Sequence, residues 1–170
     1  MKTFLKFSGL ISLVAAVVGF ILMLATQSVV ITSGNTTYFF TGPETMFGVT
    51  KQAFGGILEV TYKAAPLALI AFILVIVALL ILLAGFVLPM LKVNVLDKFA
   101  GVLNLAALVC LVLAGIFMFC VVPSFYGANE MDIPNNAAVG AGWVIGGILY
   151  IVAGAIAICP AVVDFLGKGK

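Results

Sequence analysis

The side chains that could carry out chemistry are few in this chain. It has three cysteines, six carboxylates and eight lysines, but no histidine and no arginine. Without histidine there is no Ser–His or Cys–His nucleophile pair and no imidazole ligand for a metal ion. Without arginine there is no bidentate clamp for phosphate or carboxylate groups. We therefore expect a protein that is not an enzyme, with no catalytic residue, no cofactor and no metal site.

The composition is that of a membrane protein. Apolar residues make up 65% of the chain, whereas a soluble domain has roughly 45–50%. Charged residues make up only 8%, against about 25% in a soluble domain. A soluble fold of this length could not bury so much apolar surface, so the lipid bilayer is the first expected partner. The net charge of +2 is too small to indicate nucleic-acid binding.

Four apolar segments are long enough to cross a bilayer, which takes about 20 helical residues. The predicted spans cover about residues 7–31, 66–91, 99–122 and 137–163, and they leave outer loops at about 32–65 and 123–136. All six carboxylates fall outside these spans, which argues against a self-contained ion-coupled transporter. Lys2 and Lys6 before an apolar stretch also resemble a signal peptide. We expect this segment to remain in the protein as the first span.

The lysines predict the orientation of the spans. With both termini in the cytoplasm, six of the eight lysines lie on the cytoplasmic side and only Lys51 and Lys63 lie outside. Short cytoplasmic segments of membrane proteins carry such an excess of lysine and arginine. Lysine without arginine also favours a bacterial source. The sequence therefore predicts an integral protein of a bacterial plasma membrane, with cytoplasmic N- and C-termini.

The first outer loop shows two strand patterns. Val29–Phe40 has β-branched and aromatic arms around Ser33-Gly34-Asn35, which is a turn signal. Ile57–Tyr62 alternates, with Leu58, Val60 and Tyr62 on one face. The predicted fold is an all-α membrane protein, a four-transmembrane-helix bundle with a small extracellular β-containing cap from this loop. The loop either packs on the helix ends or forms a docking surface, since functional contacts concentrate on loops.

Small residues mark candidate packing faces in the spans. Ser12, Ala16 and Gly19 recur at spacings of four and three residues in the first span, and Gly142 and Gly146 form a GxxxG pair in the fourth. Such faces let helix backbones approach closely in lipid. We expect the first span to pack against the fourth. A contact between copies of the chain is the alternative.

Three polar residues complete the candidate sites. Asn104 is the amide nearest the interior of a span, and we expect it to form an interhelical hydrogen bond. A contact with a substrate or ion is the alternative reading of Asn104. Glu130 and Asp132 lie in the second outer loop, which contains no lysine. If copies of the chain form a pore, these two acids would make its outer mouth acidic.

The layout resembles the claudin-like tetraspan proteins, with four spans, cytoplasmic ends and a larger first outer loop with strand character. The resemblance implies the same bundle and β-containing cap. That family carries a Trp-Gly-Leu-Trp pattern and two cysteines in the first outer loop. This loop has no tryptophan and no cysteine, and the single Trp143 lies in the fourth span. No functional residue is therefore transferred from the family.

Three functions are compatible with these features. The first is a non-enzymatic membrane scaffold or accessory subunit that acts through lateral helix packing and its outer loop, bound to itself or to another membrane protein. The second is a subunit of an oligomeric channel or transport complex, whose pore forms only between copies. The third, a lipid-binding or lipid-handling protein that uses grooves between spans, has no sequence feature that singles it out.

Overall fold

Four long helices dominate the part of the chain that the structure describes. A computed structural model describes residues 2–53, 58–90 and 100–167, with side chains over 7–52, 58–87 and 101–159. The long helices are α1 (Lys2–Ala25), α3 (Pro66–Met90), α4 (Ala100–Phe119) and α6 (Ala141–Gly167), and two short ones are α2 (Gly42–Phe47) and α5 (Val121–Ala128). Each long helix contains a stretch of at least 19 residues that is apolar enough to cross a bilayer. These four helices indicate an integral membrane protein.

Within the described residues, five strands form a small β cap at one end of the bundle. They are β1 (Gln27–Ser33), β2 (Thr36–Thr41), β3 (Val49–Ala53), β4 (Leu58–Tyr62) and β5 (Ala137–Val139). One antiparallel sheet has the order β2-β1-β5, and a second consists of β3 and β4. We call these strands together with α2 the β cap. The predicted hairpin is confirmed, with Gly34 at a φ of 58° in the turn between β1 and β2.

Three predicted span ends are wrong. The first span was placed up to residue 31, but α1 ends at Ala25, because the β-branched run after it pairs in a sheet with β2. The fourth span was placed from residue 137, but residues 137–139 form β5 and α6 begins at Ala141. The third span was placed up to residue 122, but α4 ends at Phe119. The predicted boundaries at 91 and 99 lie outside the described residues.

Two short helices were missing from the prediction. α2 lies in the first outer loop, where Pro43 suits its first turn because that turn's N–H groups have no intrahelical partner. α5 lies across the predicted start of the second outer loop and buries Val121, Val122, Phe125 and Tyr126. Its Ser124 hydroxyl accepts a hydrogen bond from the Leu67 amide at 3.1 Å, which satisfies one free N–H at the start of α3.

The end of α1 is fixed by hydrogen bonds to its last carbonyl groups. The buried Trp143 of α6 donates from Nε1 to the Met23 carbonyl at 3.0 Å. The Thr26 amide and hydroxyl both donate to the Leu22 carbonyl. Unpaired carbonyl groups at a helix end are costly when they are shielded from water. Because these bonds satisfy the Leu22 and Met23 carbonyls, α1 can end beneath the β cap without leaving those groups unpaired.

The helices pack in the order α3, α4, α6, α1, and the remaining seam between α1 and α3 is the most open. The core of the bundle contains Trp143, Tyr150, Met23, Leu111 and Met118, all fully buried. The outward faces of the helices carry valine, isoleucine and leucine. This arrangement places large apolar side chains towards lipid and closes most of the interior.

Candidate functional site

The small-residue face of α1 lies inside the bundle, against α6. The buried Ser12 hydroxyl donates to the Ala153 carbonyl at 2.7 Å. Ala16 is fully buried. A Cβ atom at Gly19 would lie 2.7 Å from the Tyr150 ring, so only glycine fits without a shift. The structure therefore places Ser12, Ala16 and Gly19 in an intramolecular contact.

The glycines of α6 are used in the same way. A Cβ atom at Gly142 would overlap the side chain of Thr26, at the end of α1. One at Gly146 would lie 3.1 Å from Met118 of α4 and 3.4 Å from the Gly19 carbonyl of α1. Close backbone approach is what such faces provide in lipid. The GxxxG pair is occupied by neighbouring helices of the same chain.

The three polar candidates do not come together. Asn104 is half-buried on α4, and its amide forms no side-chain hydrogen bond with any other described residue. The interhelical bond predicted for it is therefore absent from that part of the chain. Glu130 lies 3.5 Å from the Lys63 ammonium, so it has a cation beside it, and Asp132 is exposed nearby in sequence. The second outer loop is thus not a purely acidic surface.

A cleft between the two sheets of the β cap is the candidate site outside the long helices. Its volume is about 500 Å³, within the range of about 300–1,000 Å³ that is usual for ligand pockets. We call it the inter-sheet cleft. The first sheet contributes Ile31, Tyr38, Phe39 and Phe40, and the second contributes Lys51, Gln52, Val60 and Tyr62.

Strand pairing explains why these side chains meet. Ile31 and Tyr38 are direct partners across β1 and β2, and Lys51 and Val60 are direct partners across β3 and β4. Direct partners in an antiparallel pair place their side chains on the same face of the sheet. Ile31 and Tyr38 therefore share one wall, and Lys51 and Val60 share the other. The side chains of Phe39 and Gln52 point to the opposite faces of their strands, because each follows a wall residue directly in sequence.

An aromatic cluster forms the floor of the cleft and packs against α5. The Phe40 ring centroid lies 4.9 Å from that of Tyr62 and 4.6 Å from that of Phe125. Phe40 is 5% exposed and Phe125 is fully buried. Aromatic pairs at these separations contribute roughly 0.5–1.5 kcal/mol each beyond their buried area. The floor is therefore rigid and continuous with the bundle.

Lys51 links the two sheets. Its ammonium donates to the Phe39 carbonyl at 2.8 Å, lies 3.2 Å from a Glu44 carboxylate oxygen and stands 4.3 Å from the centre of the Phe40 ring. β2 is an edge strand, and an edge with free backbone groups invites pairing with another chain. Lys51 occupies one of those groups, which disfavours strand addition at this edge.

Glu44 closes the start of α2 and positions Lys51. Its carboxylate accepts a hydrogen bond from the Thr41 amide at 2.7 Å, at the N-terminus of the helix. Partial burial acts to raise the pKa of Glu44, but the bonds from Thr41 and Lys51 and the Lys51 charge outweigh it, so the pKa lies below its ordinary value. The carboxylate is therefore ionised at neutral pH.

The Glu44 contacts should make the β cap sensitive to acid. A lowered folded-state pKa adds stability above the unfolded pKa, and this stability is lost as the pH falls through the folded value. Glu44→Gln keeps an acceptor but removes the charge. We expect it to lower stability at pH 7 by less than about 1 kcal/mol, because the pair is partly exposed.

The measurement is the melting temperature of both proteins between pH 7 and pH 3. The difference between them should shrink in acid, because the stabilising charge of Glu44 is lost there. A difference that stays constant over this range would show that the Glu44 charge does not stabilise the β cap.

Part of this site carried a signal in the sequence. The alternation of residues 57–62 placed Val60 and Tyr62 on one face, and both line the cleft. Lys51 and Gln52 were missed, because β3 lies in a stretch without a clear alternation of apolar residues. No protein-family model and no curated protein matches this chain. The claudin-like layout therefore remains a prediction from topology.

Proposed function

We propose that this protein is a non-enzymatic accessory or scaffold subunit of the membrane, which binds a partner membrane protein through the inter-sheet cleft of its β cap. The observation that supports this most strongly is the cleft itself, an aromatic-walled pocket with a rigid floor, outside the four membrane-crossing helices. The proposal follows the lysine distribution in placing the β cap outside a bacterial plasma membrane, with both termini in the cytoplasm.

The helices are less suited than the β cap to binding a partner. Helix association in lipid relies on small residues that allow close backbone approach. Ser12, Gly19, Gly142 and Gly146 already contact other helices of the same chain. The lipid-facing side of α6 instead presents branched side chains such as Ile148, which is 50% exposed. Lateral packing therefore builds the bundle, and binding is left to the β cap.

The chemistry of the cleft indicates what it would bind. Tyr38 is 60% exposed at its wall, and Phe40 and Tyr62 form the floor. The charge of Lys51 is balanced by Glu44. A bulky apolar side chain from an outer segment of the partner would fill such a pocket, as buried anchor residues do in protein interfaces. The ammonium of Lys51, which lies at the cleft, could then bond a backbone carbonyl of that segment.

Filling the cleft tests this function. Val60→Trp places a large ring in the cleft, whereas Thr61→Trp places the same ring on the opposite face of β4. We expect Val60→Trp to reduce recovery of a specific partner from native membranes by at least about tenfold, equal to about 1.4 kcal/mol. Thr61→Trp should recover the partner as the wild type does.

The readout is quantitative mass spectrometry of protein purified from the native membrane, with melting temperatures as a check on folding. Tyr38→Ser, at an exposed position, gives a second variant with little risk to the fold. A partner that binds all of these variants equally well would exclude the cleft as the docking site. A second copy of this chain as the recovered partner would identify the scaffold as a homo-oligomer.

A further inference from the structure

The open seam between α1 and α3 forms a groove at membrane depth. The groove has a volume of about 350 Å³, and we call it the α1–α3 groove. Leu13, Val17 and Phe20 of α1 form one wall, and Ile76, Leu79, Leu80 and Leu83 of α3 form the other. All seven lie in the parts of these helices that are apolar enough to cross a bilayer. The groove therefore opens into hydrocarbon.

A cluster of aromatic rings lies at the end of the groove nearer the β cap. The rings of Phe20 and Phe72 stack with centroids 5.9 Å apart, and Phe47 of α2 meets Phe72 edge-on at 5.7 Å. From this ring cluster the α1 wall runs back through Val17 to Leu13, towards the N-terminus of the helix. A chain lying in the groove would therefore meet these rings at that end.

The side chains that line the groove limit what can bind in it. They carry no polar side chain, so water would find no hydrogen-bond partner there. They also carry no glycine, alanine or serine, in contrast to the seam between α1 and α6, where Ser12 and Gly19 allow close approach. The groove therefore lacks the small residues that would let the backbone of a second helix approach closely.

Size leads to the same conclusion. A stable protein interface takes about 20–30 residues from each side, whereas seven side chains line this groove. A single flexible hydrocarbon chain needs no backbone approach and no extended surface. The surrounding bilayer supplies such chains at this depth.

We propose that the α1–α3 groove holds one acyl chain of a phospholipid as a retained structural lipid. The lipid belongs to the leaflet at the N-terminal end of α1, and the methyl end of its chain lies beneath Phe20 and Phe72. The chain closes the seam that the protein leaves open. This site is separate from the inter-sheet cleft, so it stands whether or not the cleft binds a partner.

Photolabelling of the wild-type protein tests the site without a substitution. The probe is a phosphatidylglycerol with a diazirine near the end of one acyl chain, in vesicles of phosphatidylglycerol and phosphatidylethanolamine. We expect adducts on the groove walls of α1 and α3 to exceed those at the lipid-facing Val109 and Ile148 by at least about tenfold. Even labelling of all four helices would overturn the proposal.

A filled groove gives a second test. Val17→Trp occupies the groove, and Val109→Trp adds the same ring to a lipid-facing position of α4. Native mass spectrometry of detergent-purified protein should show one bound phospholipid in the wild type and in Val109→Trp. That adduct should fall by about tenfold in Val17→Trp. Wild-type protein without a retained phospholipid, or equal retention by both variants, would overturn the proposal.

Discussion

Gly140→Ala should destabilise the protein by about 3 kcal/mol or more, the upper end of what overpacking costs. A Cβ atom at this position would overlap the carbonyl oxygen of Gln27, which is backbone and cannot rotate away. Gly140 also donates to the Ser28 carbonyl at 3.0 Å and accepts from the Trp143 amide at the start of α6. The added methyl group would therefore push β1 away from the end of α6.

The measurement is the melting temperature and the fraction of monodisperse protein in detergent. Gly85→Ala is the matched control, because a Cβ atom there meets nothing within 4 Å. It should be neutral or slightly stabilising, since alanine favours a helix over glycine by up to about 1 kcal/mol. If both variants had the same melting temperature, the result would contradict the close contact between β1 and the start of α6.

Trp143→Ala should lower the free energy of unfolding by about 3–5 kcal/mol, which is the usual range for truncating a fully buried large aromatic residue. Trp143 fills the junction of α6 with the end of α1, and its Nε1 bonds the Met23 carbonyl. Trp143→Phe keeps most of the volume but removes the donor. It should lower the free energy of unfolding by about 1–3 kcal/mol, because the Met23 carbonyl loses its hydrogen-bond donor where water does not reach it.

Melting curves followed by circular dichroism give both values. Ile148→Ala, on the lipid-facing side of the same helix, serves as the control and should stay within about 0.5 kcal/mol of the wild type. Since Trp143 is the only tryptophan in the chain, its emission in the wild type independently reports burial. Water-like emission from the folded protein would contradict the structure of this junction.

The bundle was predictable because its signal is local. Each span is a continuous apolar run of the length that a bilayer demands, and a helix satisfies its own backbone groups there. The turn at Gly34 was also predictable from local chemistry. The wrong span end at residue 137 has a different cause. Ala137–Val139 is as apolar as a helix end, and it becomes a strand only because it pairs with Val29–Ile31, far away in the chain.

The candidate site was predictable only in part, for the same reason. Alternation places Val60 and Tyr62 on one face of a strand, but it does not say what that face meets. The contact of Lys51 with Phe39 and Glu44 depends on how two hairpins and a short helix sit together. Likewise, the spacing of Gly142 and Gly146 marks a packing face without naming Thr26 and Met118 as its neighbours.

Photocrosslinking from two positions in native membranes tests the central claim most directly, namely that the β cap binds the partner and the bundle faces lipid. A photoreactive phenylalanine replaces either Tyr38, at the cleft, or Ile148, on the outer face of α6. The account predicts a protein adduct of one defined mass from position 38 and only lipid adducts from position 148. A protein adduct from position 148, with none from position 38, would contradict it.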